Sequence, residues 1–427
     1  MKLDTILKNK EVKNAGWLIG GKVAQMGLSL FISIITARYL GPGNYGLISY
    51  GTAFVSFFTA LCTLGINSVI IKDFVDHPND QGKAIGSALV LRIISSSLSA
   101  LMILGIVSII DRDEPTTVAV VVLCSFGGIF NVFETFNYWF QNQYKSKITS
   151  LATLSAYVVM SLYKIVLLIT GKDVRWFAFA ASVDYIIVAL FLYVAYRKYN
   201  GPKLIFSAEK SKSLLKTSYH YILSTMMIAI YGQTDKIMLK HMSGKAEVGY
   251  YSTAVAICAM WTFVLQAIID SVYPTILKLK GENKELYERK NRQLYLMVFY
   301  ISGFVSVFFL IFGGLIVRIL YGRSFLPAAD VLKVVTWYTA FSYLGVARNA
   351  WIVSENCQKY LKYMYGGAAV LNIVLNYFFI QINGAIGAAA ASLITQVFTS
   401  MILPAFFPEM RANVKLMLEA ITIRKVK

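Results

Sequence analysis

Charge is scarce in this 427-residue sequence. Only 15% of the residues are Asp, Glu, Lys or Arg and 57% are hydrophobic, against about 25% charged and about 45–50% apolar in an ordinary soluble domain. Histidine occurs three times (His77, His220, His241) and cysteine four times (Cys62, Cys124, Cys258, Cys357). Neither recurs at a metal-ligand spacing, so no metal centre and no disulfide framework is expected. There are eight prolines, and Pro42, Pro78, Pro115, Pro202, Pro327 and Pro408 fall between long apolar runs, with Pro274 and Pro404 near run ends. No Walker A loop and no G-x-S-x-G elbow occurs. No connection exceeds roughly 20 residues, too few for a soluble catalytic domain. The chain is therefore read as a non-enzyme that needs no cofactor.

What remains is a succession of apolar runs, each near the ~20 residues that span a bilayer as a helix. They are continuous rather than alternating, which excludes a porin-like barrel. Lone segments in lipid satisfy their backbone only as helices. The fold class is thus an all-α polytopic membrane protein with about 12 transmembrane helices. The spans are placed at 14–40, 44–71, 83–110, 116–140, 147–170, 175–197, 214–240, 247–274, 292–320, 328–353, 361–382 and 384–407. The implied organisation is an N-terminal six-helix lobe (1–200), a cytoplasmic linker (201–213), a C-terminal six-helix lobe (214–408) and a cytoplasmic interfacial tail (409–427).

The net charge is +19. In a membrane protein such an excess reflects Lys- and Arg-rich cytoplasmic loops rather than nucleic-acid binding. The segments 197–216 and 278–292 carry six basic residues each, which predicts both termini in the cytoplasm. The short turn Gly41-Pro42-Gly43-Asn44 between the first two spans then faces outward.

An internal repeat is visible. A shift of 203 positions lays Gly46, Ser49, Ala53, Thr59, Ile66, Ser68 and Val69 on Gly249, Ser252, Ala256, Thr262, Ile269, Ser271 and Val272. Shifts of 212 and 210 align Asn137 and Trp139 with Asn349 and Trp351, and Ala180-Ala181-Ser182 with Ala390-Ala391-Ser392. Similar shifts in the same order predict two parallel halves, an architecture common among transporters.

Polar residues inside the spans recur every three or four positions, so each set lies on one helix face. Span one carries Lys22, Gln25, Ser29, Ser33 and Thr36; span two carries Ser49, Thr52, Ser56, Thr59, Thr63 and Asn67. Such stripes either pack between helices or line water; for these two spans a water-accessible lumen is expected. Lys164 and Asp184 lie on consecutive spans and could form a buried ion pair or serve function separately. Lys22, Arg92 and Arg348 have no acid within one helical turn. They are the candidates for an anionic ligand, since Arg offers a fork and Lys a point charge to phosphate.

Three stretches carry a family resemblance: TARYLGPGNYGLISYGTAF from Thr36, DKIMLKHMSGKAEVGYYSTA from Asp235 and INGAIGAAAASLITQ from Ile382. They resemble the first hairpin, the turn opening the second half and the last span of Wzx-type polysaccharide repeat-unit flippases. These belong to the multidrug/oligosaccharidyl-lipid/polysaccharide exporter superfamily. The resemblance implies two six-helix lobes around a cavity lined mainly by spans one, two, seven and eight. It also implies transfer of undecaprenyl-diphosphate-linked oligosaccharide, such as an O-antigen repeat unit, from the cytoplasmic to the periplasmic leaflet of the bacterial inner membrane. Alternating access coupled to an ion gradient would drive it. Besides the lipid-linked substrate and membrane lipid, a polysaccharide polymerase and a chain-length regulator are the implied partners. On this reading Lys22, Arg92, Arg348 and Lys236 contact the diphosphate. Gln25, Asn67, Gln266 and Trp261 contact sugar, and Asp235 or Asp270 couples the ion. Gly41, Pro42, Gly43, Gly46 and Gly249 form a gate or hinge. Two rivals are a multidrug or organic-cation antiporter, which would need cavity acids that spans one to three lack, and a membrane polymerase or ligase, which would need a sizeable outward loop.

Overall fold

In hydrocarbon an unpaired backbone amide or carbonyl has no water to turn to, and the computed structural model answers that constraint with helices. It describes residues 10–423, excepting the side chains of 10–19, 21–24, Ser68, His220, Leu223 and Ser224. Among the described residues there is no strand. The helices are α1 (Lys10–Thr63), α2 (Asn67–Asp76), α3 (Gln81–Ile110), α4 (Pro115–Phe126), α5 (Thr135–Asn142), α6 (Ser146–Ile169) and α7 (Val174–Lys198). They continue as α8 (Ala208–Ser243), α9 (Lys245–Glu282), α10 (Lys284–Tyr321), α11 (Ala328–Ala347), α12 (Asn349–Ser354), α13 (Leu361–Val397), α14 (Leu403–Ala405) and α15 (Arg411–Ile421).

Eight helical stretches among the described residues are long and apolar enough to cross a membrane. Two of these contain a break that divides them. In α1 it falls at Gly41, whose φ of 71° belongs to the left-handed region, which glycine enters without steric cost. In α13 it falls at Asn383 and Gly384 (φ 49°). The helices α8 and α11 occupy the remaining expected positions, at 214–240 and 328–353.

The chain forms two compact units: Met1–Leu40 with Leu47–Ala229, and Gly41–Gly46 with Ile230–Lys427. The division falls within α8. In the first unit, Phe74, Phe136, Trp139, Phe140 and Tyr196 make a buried aromatic core, with the Phe136 and Tyr196 rings stacked 4.3 Å apart. The segment after α7 runs across the start of α3. Ile205 N donates to Gly82 O (3.2 Å), and Ser207 N donates to Ser87 Oγ (3.0 Å), which donates back to Ser207 O (3.1 Å). Lys210 closes the clasp on Asp73 at 2.6 Å. Tyr50, in the second half of α1, donates to buried Asp111 (2.8 Å).

In the second unit, Tyr287, Leu294, Tyr295, Trp351 and Met417 belong to one core cluster. The tail helix α15 contributes to it rather than lying free. Its Asn413 donates to Tyr295 Oη (2.6 Å), and Arg292 pairs with its Glu419 at 2.9 Å.

The turn 41–46 packs against the start of α9. A Cβ on Gly46 would collide with the Lys245 carbonyl and the Gly249 amide, and one on Gly249 would collide with the Pro42 carbonyl. Shifting 42 and 46 by 203 gives 245 and 249, so the crossing is reciprocal between repeat-related positions. Only glycine permits backbones this close. Cysteines placed at Asn44 and Lys245 are expected to cross-link readily. Adding Gly249→Leu, whose overpacking costs about 1–3 kcal/mol, should sharply lower the cross-linked fraction seen on non-reducing gels.

Candidate functional site

Each unit buries charged side chains, and their surroundings separate those that hold the fold from those that can act. Arg92 of α3 is 1% exposed. Its Nη1 donates to Thr135 Oγ1 (2.9 Å), and its Nη2 to Asn131 Oδ1 (2.8 Å) and Asn131 O (3.2 Å). Glu134 Oε2 lies 4.0 Å away. The acid missing within a turn of the sequence thus arrives from another helix. Asn131 and Glu134 sit in a 3₁₀ stretch, Gly127–Glu134, that interrupts the fourth span. A 3₁₀ run this long is uncommon, and Arg92 takes up one of its carbonyls.

Arg348, 4% exposed, plays the same part in the second unit. Its Nη1 donates to Thr399 O (3.0 Å) and Ser400 O (3.2 Å), within the π-helical turn Phe398–Ile402. Glu247 treats the break in α13 likewise, accepting the amide of Ala385 at 2.7 Å. These three charged groups bond backbone where the helices are irregular.

Asp235 of α8 differs. It is 4% exposed, and its carboxylate accepts from Asn376 Nδ2 (2.6 Å), Ser392 Oγ (2.6 Å) and the Tyr251 hydroxyl. Asn376 also donates to Asn372 Oδ1 (3.0 Å), and Asn372 donates to Ser392 Oγ (3.3 Å). Three side chains thus converge on the carboxylate at hydrogen-bond distance. No cation lies within 4.0 Å among the described residues. The Oδ1 of Asn376 is buried beside it without a partner in the protein. The result is an oxygen-rich cluster on α8, α9 and α13, suited to a proton or a small hard cation.

The other expected site residues are scattered by comparison. Asp270 is exposed and accepts from Gln266 Nε2 (2.8 Å). Lys236 donates to Gln233 Oε1 (3.3 Å). Gln25, Asn67 and Trp261 are half-buried. The Lys22 side chain lies outside the described residues. Thr59 and Thr63 bond carbonyls one turn earlier, Val55 O (2.8 Å) and Thr59 O (2.9 Å), so this part of the span-two stripe is satisfied within its own helix. Sequence reasoning missed Asn372, Asn376, Ser392 and Tyr251 around Asp235. The available signal was Asn372 and Asn376, one turn apart in an otherwise apolar span.

Replacing Asp235 by Ala would leave its buried donors without an acceptor, at about 1–3 kcal/mol for each group left unpaired. Asp235→Ala is therefore expected to melt well below the unaltered protein in detergent, while Asp270→Ala, at an exposed site, should leave the melting temperature close to unchanged.

Comparison with known proteins places this architecture. Residues 12–280 match the family described as "Polysaccharide biosynthesis protein". A protein of Shigella flexneri provisionally named an O-antigen transporter is 20% identical over 417 residues, covering 93% of this chain and 98% of that protein. An inward-facing multidrug resistance MATE family transporter of the MOP superfamily superposes with a TM-score of 0.73 at 15% identity, over 92% of this chain and 95% of that one. The lipid II flippase MurJ, in an inward closed conformation, superposes with a TM-score of 0.69 at 13% identity, over 95% and 91%. At such identities the structures establish a shared fold. The family match spans well over half of the sequence, and with it this all-α, multi-pass membrane chain belongs to the polysaccharide biosynthesis protein family.

Proposed function

We propose that the chain is a flippase for undecaprenyl-diphosphate-linked oligosaccharide repeat units, of O-antigen or a similar surface polysaccharide. It moves them from the cytoplasmic to the periplasmic leaflet of the bacterial inner membrane by alternating access. The observation that carries the coupling is the cluster around Asp235. A carboxylate buried within a membrane-spanning unit with no cation within 4.0 Å among the described residues is costly, and binding a proton or sodium ion relieves that cost. Loading and release of the ion then bias the unit between two arrangements. The polysaccharide family match and the O-antigen transporter likeness support the substrate class.

For the diphosphate we assign the direct contact to Lys22. Arg92 and Arg348 donate from their terminal nitrogens to protein acceptors, with the Nε of each buried and unpartnered in the protein, so each contributes mainly a positive field toward an anionic ligand. A polymerase and a chain-length regulator are the partners this role implies in the cell.

Cells in which the gene is disrupted are expected to lose surface polysaccharide and to accumulate the lipid-linked repeat unit. The unaltered gene should restore export. Asp235→Asn, expressed to the same membrane level, should restore about a tenth or less, since it forfeits a charge-dependent interaction of about 1.4 kcal/mol or more. Full export from the disrupted strain, together with lost resistance to cationic drugs, would instead establish the multidrug antiporter.

A further inference from the structure

The first unit contains a small polar cavity that the assignments above do not use. Ser29 of α1, Tyr157, Ser161 and Lys164 of α6, and Asp184 and Tyr185 of α7 line a space of about 230 Å³. Residues 157, 161 and 164 share one face of α6, and 181, 184 and 185 one face of α7. The cavity is therefore built by two helix faces rather than left by poor packing.

Its two charges do not meet. The ion pair that consecutive spans allow between Lys164 and Asp184 is absent among the described residues, although both line the same space. Asp184 Oδ1 is buried without a hydrogen-bond partner in the protein. The neighbouring Ser161 hydroxyl is spent elsewhere: its Oγ donates to Tyr157 O at 2.7 Å. An ammonium and a carboxylate thus look into one cavity with bonding capacity left over.

This pairing restricts what fits. The ammonium repels a lone cation and the carboxylate repels a lone anion. Water fits, at about seven molecules for this volume, but water gains nothing from the apolar faces of tyrosine rings. A neutral polyhydroxylated ring uses everything present. Its hydroxyl oxygens accept from Lys164, its hydroxyl hydrogens go to Asp184, and its apolar face packs on an aromatic ring. Hydrogen bonds to charged groups in a low-dielectric site are the strong ones. A site built to bond hydroxyls also discriminates steeply against a ligand that lacks one.

We propose that this cavity is a saccharide subsite, holding one neutral sugar residue between Lys164 and Asp184. The proposal rests on the flippase reading for its biological meaning, because the sugar would be one residue of the transported repeat unit. It makes the first unit a selectivity element: repeat units with adjacent hydroxyls at that residue are retained, and deoxy versions are disfavoured.

The test uses the purified full chain in detergent and saturation-transfer NMR with methyl glycosides of common hexoses, N-acetylhexosamines and deoxyhexoses. At least one glycoside is expected to receive saturation from the unaltered protein. The double variant Lys164→Met/Asp184→Asn, which removes both charges together, should lower that signal about tenfold, as expected for losing a charge-assisted hydrogen bond. Ser161→Phe fills the cavity while keeping both charges, and should abolish the signal even if the double variant fails to fold. Absence of binding to the folded unaltered protein, or binding that survives in both variants, overturns the proposal. Either result leaves the flippase assignment to be judged on polysaccharide export, which is measured independently in cells.

Discussion

An unpaired backbone group inside a membrane is the constraint on which this structure depends. It forces helices on the spans, and it sets a condition wherever a span departs from an α-helix. The chain departs in several places, and in three a charged side chain sits at the departure. Arg92 takes the Asn131 carbonyl in the 3₁₀ stretch, Arg348 takes two carbonyls in the π-helical turn, and Glu247 takes the amide after the α13 break. At Gly41 the following residue is proline, which has no amide hydrogen to satisfy. Irregular backbone in lipid is tolerated on such terms.

That accounting sorts the intramembrane charges. A guanidinium that donates to protein acceptors is part of the scaffold, and removing it would expose carbonyls as well as delete a cation. Asp235 completes no broken helix. It gathers side-chain donors from α9 and α13, with a further oxygen of Asn376 unpartnered beside it. Lys164 and Asp184 complete no backbone either. Asp184 and Asn376 each keep a buried oxygen, and Arg92 and Arg348 each a buried Nε, without a partner in the protein.

Much of the fold was legible in the sequence because it follows from run length and periodicity. The Gly41 break and the repeat could be read from local pattern, and the contact between Gly46 and Gly249 gives the repeat a physical meaning, since the matched glycines are the ones that let the backbones touch. The site was less legible. Arg92 looked unpaired because its partners, Asn131, Glu134 and Thr135, lie some forty positions away and are brought near only by packing. Asp235 and Asp270 looked equivalent as acids in polar stripes, yet one is buried in a network and the other exposed, a distinction that helical spacing does not encode. Lys164 and Asp184 are adjacent in topology, but whether two long side chains close on each other depends on the space left between their helices.

The central claim is that this chain moves a lipid-linked saccharide between leaflets at the expense of an ion gradient. The most direct measurement is leaflet transfer in vesicles containing only the purified protein and a polyprenyl-diphosphate oligosaccharide, with pH or sodium gradients imposed separately. The account predicts transfer well above protein-free vesicles, accelerated by one of the two gradients and slowed when that gradient is reversed. Transfer no faster than in protein-free vesicles, or transfer indifferent to both gradients, would contradict it.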